Sequence, residues 1–284
     1  MTLSRRQVSD LLARHGLRPS RALGQNFVAD PNTVRRIARL AGVGPGDHVV
    51  EVGPGLGSLT LALAETGADV LAVEADRHLL PVLERVVFEA GPGSVLVVRG
   101  DAMKLDWDEL LKGSPEWTLV ANLPYNIATP LVADLLDTVP QVTRMLVMVQ
   151  SEVGERLAAR VGDTSYGAVS VKVAYWAIAS VVGKVPASVF VPRPNVESVL
   201  VDIRRRAEPA VDPGLVEAKC LFGLVRAGFA QRRKMLRRAL SGLASPGAFE
   251  AAGVAPEARA EQLTVEDWGR LAATVAIERD SPNE

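Results

Sequence analysis

The sequence predicts an α/β fold: a mostly parallel sheet with helices on both faces, followed by a small all-helical C-terminal domain. Three observations carry this. Short β-branched runs alternate with stretches of helical period as far as residue 149. A glycine-rich turn joins the first of those runs to a helix, and past Arg204-Arg205-Arg206 only helical patterns remain, separated by Gly and Pro breaks. A chain of 284 residues is long enough for one large domain and a smaller one.

The strand candidates are His48–Val52, Asp69–Val73, Val95–Val98, Thr118–Ala121 and Met145–Val149. Between them Leu59–Glu65, Arg77–Ala90 and Pro130–Leu136 have helical period. Two further apolar runs, Val173–Val182 and Val196–Ile203, predict a closing antiparallel hairpin at one sheet edge, with Val185–Pro194 as its long connection. Beyond it Gly214–Phe229, Arg232–Leu240, Pro246–Ala252 and Val265–Ile277 read as helices. The expected domains are 1–205, with a basic N-terminal extension over 1–40, and 206–284.

Composition excludes several classes. Hydrophobic residues make up 48% and charged residues 23%, which suits a packed globular core. No apolar run approaches the roughly 20 residues that a bilayer requires, and Met1–Asp10 carries charge where a signal peptide is apolar. The single Cys220 and the scattered His15, His48 and His78 form no metal-ligand set. The expectation is a cytoplasmic, metal-free protein. The net charge of −1 hides a strong asymmetry. Residues 1–40 hold eight Arg against two acids, and 204–240 hold ten Lys/Arg against three. Residues 41–203 hold 20 acids against 11 bases. Two basic blocks flanking an acidic middle suit a protein that handles a small ligand and a polyanion with different parts; solvated helix faces are the plainer alternative.

The loop Glu51-Val-Gly53-Pro-Gly55-Leu-Gly57 follows the first strand. Its glycines permit a sharp turn and close backbone approach to a ligand at a helix N-terminus. A dinucleotide loop has a further glycine where this chain has Ser58, so the tighter spacing favours a nucleoside that carries a carboxylate. Glu74, 17 residues beyond Gly57 at the end of the second strand, suits bidentate contact with ribose hydroxyls. Asp76 is the rival acid, placed to open the next helix. Asp101, after the third strand, suits the amino group of an adenine.

The fourth strand runs into Asn122-Leu123-Pro124-Tyr125. An exocyclic adenine amine is a poor nucleophile, because its lone pair is delocalised into the ring. An Asn side-chain oxygen and the Leu123 carbonyl, braced by Pro124, can each accept one of its N–H groups and draw the nitrogen towards tetrahedral geometry. Tyr125 offers a flat face for stacking, worth about 1–3 kcal/mol per base.

With these motifs the chain resembles the bacterial ribosomal RNA adenine dimethyltransferase family, of the small-subunit type. It also carries Leu23-Gly-Gln25-Asn26-Phe27, Met148-Val-Gln150-Ser-Glu152-Val-Gly-Glu155-Arg156 and Phe190-Val-Pro192-Arg-Pro194-Asn-Val196-Glu-Ser198. The helical part adds Phe229-Ala-Gln-Arg232-Arg233-Lys234-Met-Leu236 and Arg259-Ala-Glu261-Gln262-Leu263. The resemblance implies a Rossmann-like class I methyltransferase domain of seven strands with a small helical RNA-binding domain. It implies S-adenosylmethionine as methyl donor and N6,N6-dimethylation of two adjacent adenines in small-subunit (16S) rRNA, with the pre-30S particle as partner and a monomeric enzyme. It places Asn26, Val28, Gly53, Glu74, Asp101 and Asn122 on the cofactor, joined by Gly55 of the loop, and Asn122, Leu123, Tyr125 and Phe190 on the target base. Two positions depart from the family pattern: Val28 stands where Leu is commoner, and Gly154 where Ala is usual.

Beside the resemblance, Phe190 in its Pro-braced loop suits a cover over the base face opposite Tyr125, with a core Phe as the alternative. The N-terminal Arg cluster and Gln25-Asn26-Phe27 suit a flap over the cofactor. Arg232, Arg233, Lys234, Arg237 and Arg238 are expected to grip the RNA backbone from one helix, with Arg233/Arg237 and Lys234/Arg238 as i,i+4 pairs. Competing readings are a large-subunit rRNA adenine methyltransferase of the macrolide-resistance type, an assembly factor that acts mainly by binding, and a nicotinamide-dependent dehydrogenase. Ser58 argues against the last.

Overall fold

The computed structural model describes residues 2–20, 23–91 and 94–280, without the side chains of 279 and 280. Its elements begin with α1 (Arg5–Arg14), β1 (Phe27–Val28), α2 (Pro31–Ala41), β2 (His48–Val52), α3 (Ser58–Ala64), β3 (Asp69–Glu74) and α4 (Leu80–Ala90). There follow β4 (Val95–Arg99), α5 (Trp107–Leu111), β5 (Trp117–Asn122), α6 (Ala128–Thr138), β6 (Val142–Gln150), α7 (Ser151–Ala158) and α8 (Ala168–Trp176). The chain closes with β7 (Ala177–Val185), β8 (Phe190–Val191), β9 (Ser198–Arg205), α9 (Ala218–Ala230), α10 (Leu236–Ala239), α11 (Pro246–Ala252) and α12 (Val265–Asp280).

The main sheet has seven strands in the order β4-β3-β2-β5-β6-β9-β7. The first five run parallel and β9 pairs antiparallel with β6. Strands covered on both faces have no polar side to show, which is why β2 and β3 are mostly apolar without a period-two alternation, Glu51 and the strand-end acids apart. The order reverses between β2 and β5, and ligands of such sheets bind beyond the strand carboxyl ends at that switch point.

Helix α2 shows how local signals build this layer. Asp30 caps its N-terminus on Thr33 N–H, Pro31 opens the first turn, and Gly42 ends it in the left-handed region at φ 65°. Val34, Ile37, Ala38 and Ala41 form its buried stripe and pack with Leu59, Leu63, Leu146 and Leu200. Arg144 of β6 donates to the carbonyls of Leu40 and Ala41 at the end of α2, and pairs with Asp202 of β9 at 2.8 Å.

The chain divides into two compact units, 1–154 with 180–204, and 155–179 with 205–284. The third crossing, between 204 and 205, falls where the sequence changes character, but residues 155–179 also belong to the helical unit. Their Tyr166, Val171 and Tyr175 are buried in one core with Leu221, Phe222, Phe249 and Trp268. Gly228 of α9 makes room for Trp268: a Cβ there would stand 2.6 Å from its ring.

Three sequence expectations are corrected. Val173–Trp176 is helix, not strand; the period-two pattern of Val171, Val173 and Tyr175 arises in an apolar helix whose start is held by Ser170, which accepts from Gly167 N–H and donates to the Arg156 carbonyl. The helix expected over Arg232–Leu240 shrinks to α10, because Leu236 and Arg237 donate their N–H groups to the carbonyls of Ala258 and Pro256. The connection at 185–194 carries β8, paired antiparallel with β1.

Candidate functional site

A cavity of about 350 Å³ opens at the switch point, and the carboxyl ends of β2, β3, β4 and β5 all reach it. Of the residues expected on the cofactor, Asn26, Val28, Gly53, Gly55, Glu74, Asp101 and Asn122 line this one cavity, together with Pro124. The size lies within the range of cofactor sites.

The loop after β2 takes left-handed backbone at Gly53, Gly55 and Gly57, with φ of 70°, 61° and 90°. Gly55 is needed twice over, since a Cβ on it would come within 2.8 Å of the Phe27 ring. The Gly55 N–H is donated to Glu74 Oε2 at 3.0 Å, and Asp76 N–H to Glu74 Oε1 at 2.8 Å. Burial lifts the Glu74 carboxyl above its ordinary range, and these two N–H groups pull it back. Each oxygen keeps a lone pair for a ribose hydroxyl.

Glu51 is the site residue that sequence reasoning missed as an individual side chain. It is buried, lines the cavity, and is pushed up to about 8, first by burial and further by the Glu74 charge. The nearby Thr60 hydroxyl opposes the shift, although neither its Oγ1 nor Glu51 Oε2 has a hydrogen-bond partner. Ser58 Oγ beside the cavity is likewise buried without a partner. An acid inside an otherwise apolar parallel strand was the signal available. A loop of left-handed glycines lining the cavity, with unpartnered buried oxygens beside it, fits a ligand with hydroxyl and ammonium donors.

The N-terminal segment covers this cavity. Asn26 accepts, through its backbone carbonyl, a hydrogen bond from Asn122 Nδ2 at 2.9 Å. Gln25 donates to Asp76 at 2.8 Å, and Phe27 lies against Gly55. Arg5 of α1 donates to the carbonyls of Ser188 and Phe190. The flap expected around Gln25-Asn26-Phe27 is therefore part of the cavity wall.

Leu123 and Tyr125 do not line the cavity. Leu123 has a buried side chain and its N–H bonds the Met148 carbonyl at 3.1 Å. Tyr125 is half-buried; burial raises its hydroxyl, which sits near Ser198 without a formed hydrogen bond. Phe190 requires a correction. Its ring is 0% exposed in the core with Val28, Val34 and Ile37, where β8 pairs edge to edge with β1, so in this structure it offers no free face to a base. Asp101 is exposed; it accepts from Met103 N–H at 3.1 Å and pairs with Lys104 at 3.4 Å.

The basic run also differs from expectation. Arg232 to Lys234 lie in a turn and only Arg237 and Arg238 are helical, so no single helix aligns the expected pairs. Arg232 pairs with Glu261 at 2.5 Å and Arg237 with Glu257 at 3.1 Å. Among the described residues no group of three or more His, Cys, Asp or Glu side chains is placed to hold a metal ion, and no helix is long and apolar enough to cross a membrane.

The family model described as ribosomal RNA adenine dimethylase matches residues 17–276. The chain is 52% identical over 278 residues to a Kineococcus radiotolerans protein named ribosomal RNA small subunit methyltransferase A, covering 95% of this chain and 91% of that one. A Thermobifida fusca protein of the same name is 48% identical over 273 residues, with 93% of each chain covered. Among solved structures, a dimethyladenosine transferase from Plasmodium falciparum superposes with a TM-score of 0.72 at 24% identity, over 85% of this chain and 94% of that one. The 23S rRNA methyltransferase ErmE gives 0.68 at 27% identity, over 88% and 100%. A match over nearly the whole length, on a chain whose cavity unites Glu74, the glycine loop and Asn122, leads to one conclusion: the chain belongs to the ribosomal RNA adenine dimethylase family and is an S-adenosylmethionine-dependent methyltransferase.

Proposed function

We propose that this protein methylates the N6 amines of two adjacent adenines in small-subunit rRNA, to N6,N6-dimethyladenine, during assembly of the small subunit. The observation that carries the reading is Asn122. It lies at the end of β5 beside the cofactor cavity, and its Nδ2 is committed to a backbone carbonyl. A carbonyl can only accept, so the amide is oriented and Oδ1 is the atom left to accept an amine N–H. When bound, S-adenosylmethionine supplies a methyl carbon on a positively charged sulfur. Glu74 would hold its ribose, the loop Gly53–Gly57 would let its backbone approach, and the unpartnered Oε2 of Glu51 would accept a hydrogen bond from its ammonium group. Asn122 Oδ1 and the Leu123 carbonyl would take one N–H each of the target amine. As the N6–C bond forms and the S–C bond breaks, the amine becomes acidic and releases one proton to solvent, so no strong base is needed beforehand.

The name shared by the relatives near half identity favours the small subunit over the large. The helical unit, with Arg233, Lys234 and Arg238 exposed, would grip RNA phosphates. We read the enzyme as a cytoplasmic monomer acting on the pre-30S particle. Incubation with labelled S-adenosylmethionine and undermethylated ribosomal subunits tests the reading. Label is expected in 16S rRNA as dimethyladenine, and label in 23S rRNA alone would transfer the protein to the large-subunit reading.

A further inference from the structure

We infer that the backbone carbonyl of Asn26 is a positioning group for the methyl transfer, because it selects which end of the Asn122 amide faces the target amine; this rests on the role given to Asn122 above. A carboxamide has two ends of nearly equal size and opposite hydrogen-bonding character. Nothing covalent prevents Asn122 from presenting its NH₂ to the adenine amine, and that arrangement sets donor against donor. The Asn26 carbonyl at 2.9 Å removes the ambiguity, since it binds only the NH₂ end. The partner is main chain, so no side chain at position 26 records the function.

The segment is built to bring that carbonyl in. Gly24 turns the chain through φ 63°, and a Cβ on it would stand 3.1 Å from the Tyr125 nitrogen. Only the smallest residue lets the segment lie this close to Asn122-Leu123-Pro124-Tyr125. Gln25, held by Asp76 at 2.8 Å and by Ser20 N–H at 2.7 Å, fixes one side, and Asn26 Nδ2 closes the turn on the Gly24 carbonyl at 3.2 Å. On the other side Phe27 and Val28 are clamped by pairing with Val191 and Phe190. The segment thus anchors a carbonyl as well as walling the cofactor cavity.

The sharp test is Asn122→Asp. The new carboxylate keeps an acceptor for the amine but sets a second oxygen against the Asn26 carbonyl. Burial beside that carbonyl raises the carboxyl above its ordinary range, and once protonated it again has one donor and one acceptor. Single-turnover methylation of undermethylated small subunits is measured from about pH 5.5 to 8.5, as a ratio to wild type at each pH. The account expects a loss of about 10²-fold or more at the alkaline end, with at least about tenfold recovery at the acid end. A ratio that is flat with pH, whether near one or uniformly low, overturns the proposal.

Gly24→Ala supplies a second reading. By pushing the segment off Tyr125 it should slow the wild-type enzyme. In the Asn122→Asp background it should cost nothing or restore rate, since it relieves the oxygen–oxygen contact. Independent, multiplying losses overturn the proposal. Asn122→Ala, run alongside, separates the role of Asn122 from that of the Asn26 carbonyl. Near-normal turnover of the alanine variant refutes the proposed site itself, whereas an inactive alanine variant with a pH-flat aspartate variant refutes only the positioning role.

Discussion

Glu74 accepts the N–H of Gly55 at 3.0 Å, so the acid that ends β3 and the glycine loop that follows β2 are hydrogen-bonded into one unit. The same carboxylate takes the Asp76 N–H, which fixes its plane before any ligand arrives. Preorganisation of this kind lowers the ordering cost of binding.

Glu74→Ala should therefore weaken S-adenosylmethionine binding by about 1.5–3 kcal/mol, the range for charge-assisted hydrogen bonds. Titration calorimetry checks this. An unchanged dissociation constant would leave Glu74 as a purely structural brace of the loop.

Glu51 makes stability depend on pH. Its folded-state value of about 8 lies above the ordinary 4.5, so the folded protein binds this proton more tightly than the unfolded chain. Stability from this group is whole below 4.5 and is lost as pH rises towards 8. Glu51→Gln keeps the shape without the titration and should raise Tm at alkaline pH relative to wild type, while the two converge in acid. Parallel melting curves across the range would contradict the assignment.

Asp202 works in the opposite sense. Burial alone would raise its carboxyl, but the hydrogen bonds and charges of Arg144 and Arg204 outweigh this and hold it below the usual range. Its contribution is present above the unfolded value and is lost as pH falls through the folded one. Asp202→Asn should cost about 1.5–3 kcal/mol at neutral pH by denaturant unfolding, and less in acid.

Gly154 has a steric reason in this chain. A Cβ there would overlap Val199 Cγ2 and crowd Val201. Gly154→Ala should destabilise by about 1–3 kcal/mol through overpacking, and Val199→Ala in the same chain should recover part of the loss. Additive losses in the double variant would contradict the contact.

For RNA the structure redirects the choice of variants. Arg232 and Arg237 already have acidic partners, whereas no such partner is found among the described residues for Arg233, Lys234 and Arg238. Reversing Arg233 and Lys234 should weaken RNA binding and flatten log K against log salt by about 0.7–0.9 per contact. An unchanged slope, with cofactor affinity as control, would place the RNA elsewhere.

The βα alternation was legible because parallel strands covered on both faces leave mostly apolar runs, and the lining of the candidate site was legible at strand ends, where Glu74 and Asn122 both reach the cavity. What escaped depends on contacts distant in sequence. The chain breaks at Arg232–Lys234 because the first N–H groups of α10 are taken by carbonyls of 256 and 258. Phe190 lies in the core because β8 pairs with β1, more than 150 residues away. Glu51 looked like part of a glycine motif until burial beside Glu74 showed an acid with its own behaviour. The Asn26 carbonyl has no side-chain signature at all.

The central claim, that Asn122 at this cavity drives N6 methylation of rRNA adenine, is tested most directly by mass spectrometry of 16S rRNA. Undermethylated small subunits are incubated with S-adenosylmethionine and either wild type or Asn122→Ala, after calorimetry has shown that both bind the cofactor. The account predicts dimethyladenine with the wild type and a rate lower by about 10²–10³ with the variant. Dimethyladenine formed at a comparable rate by both proteins would contradict it.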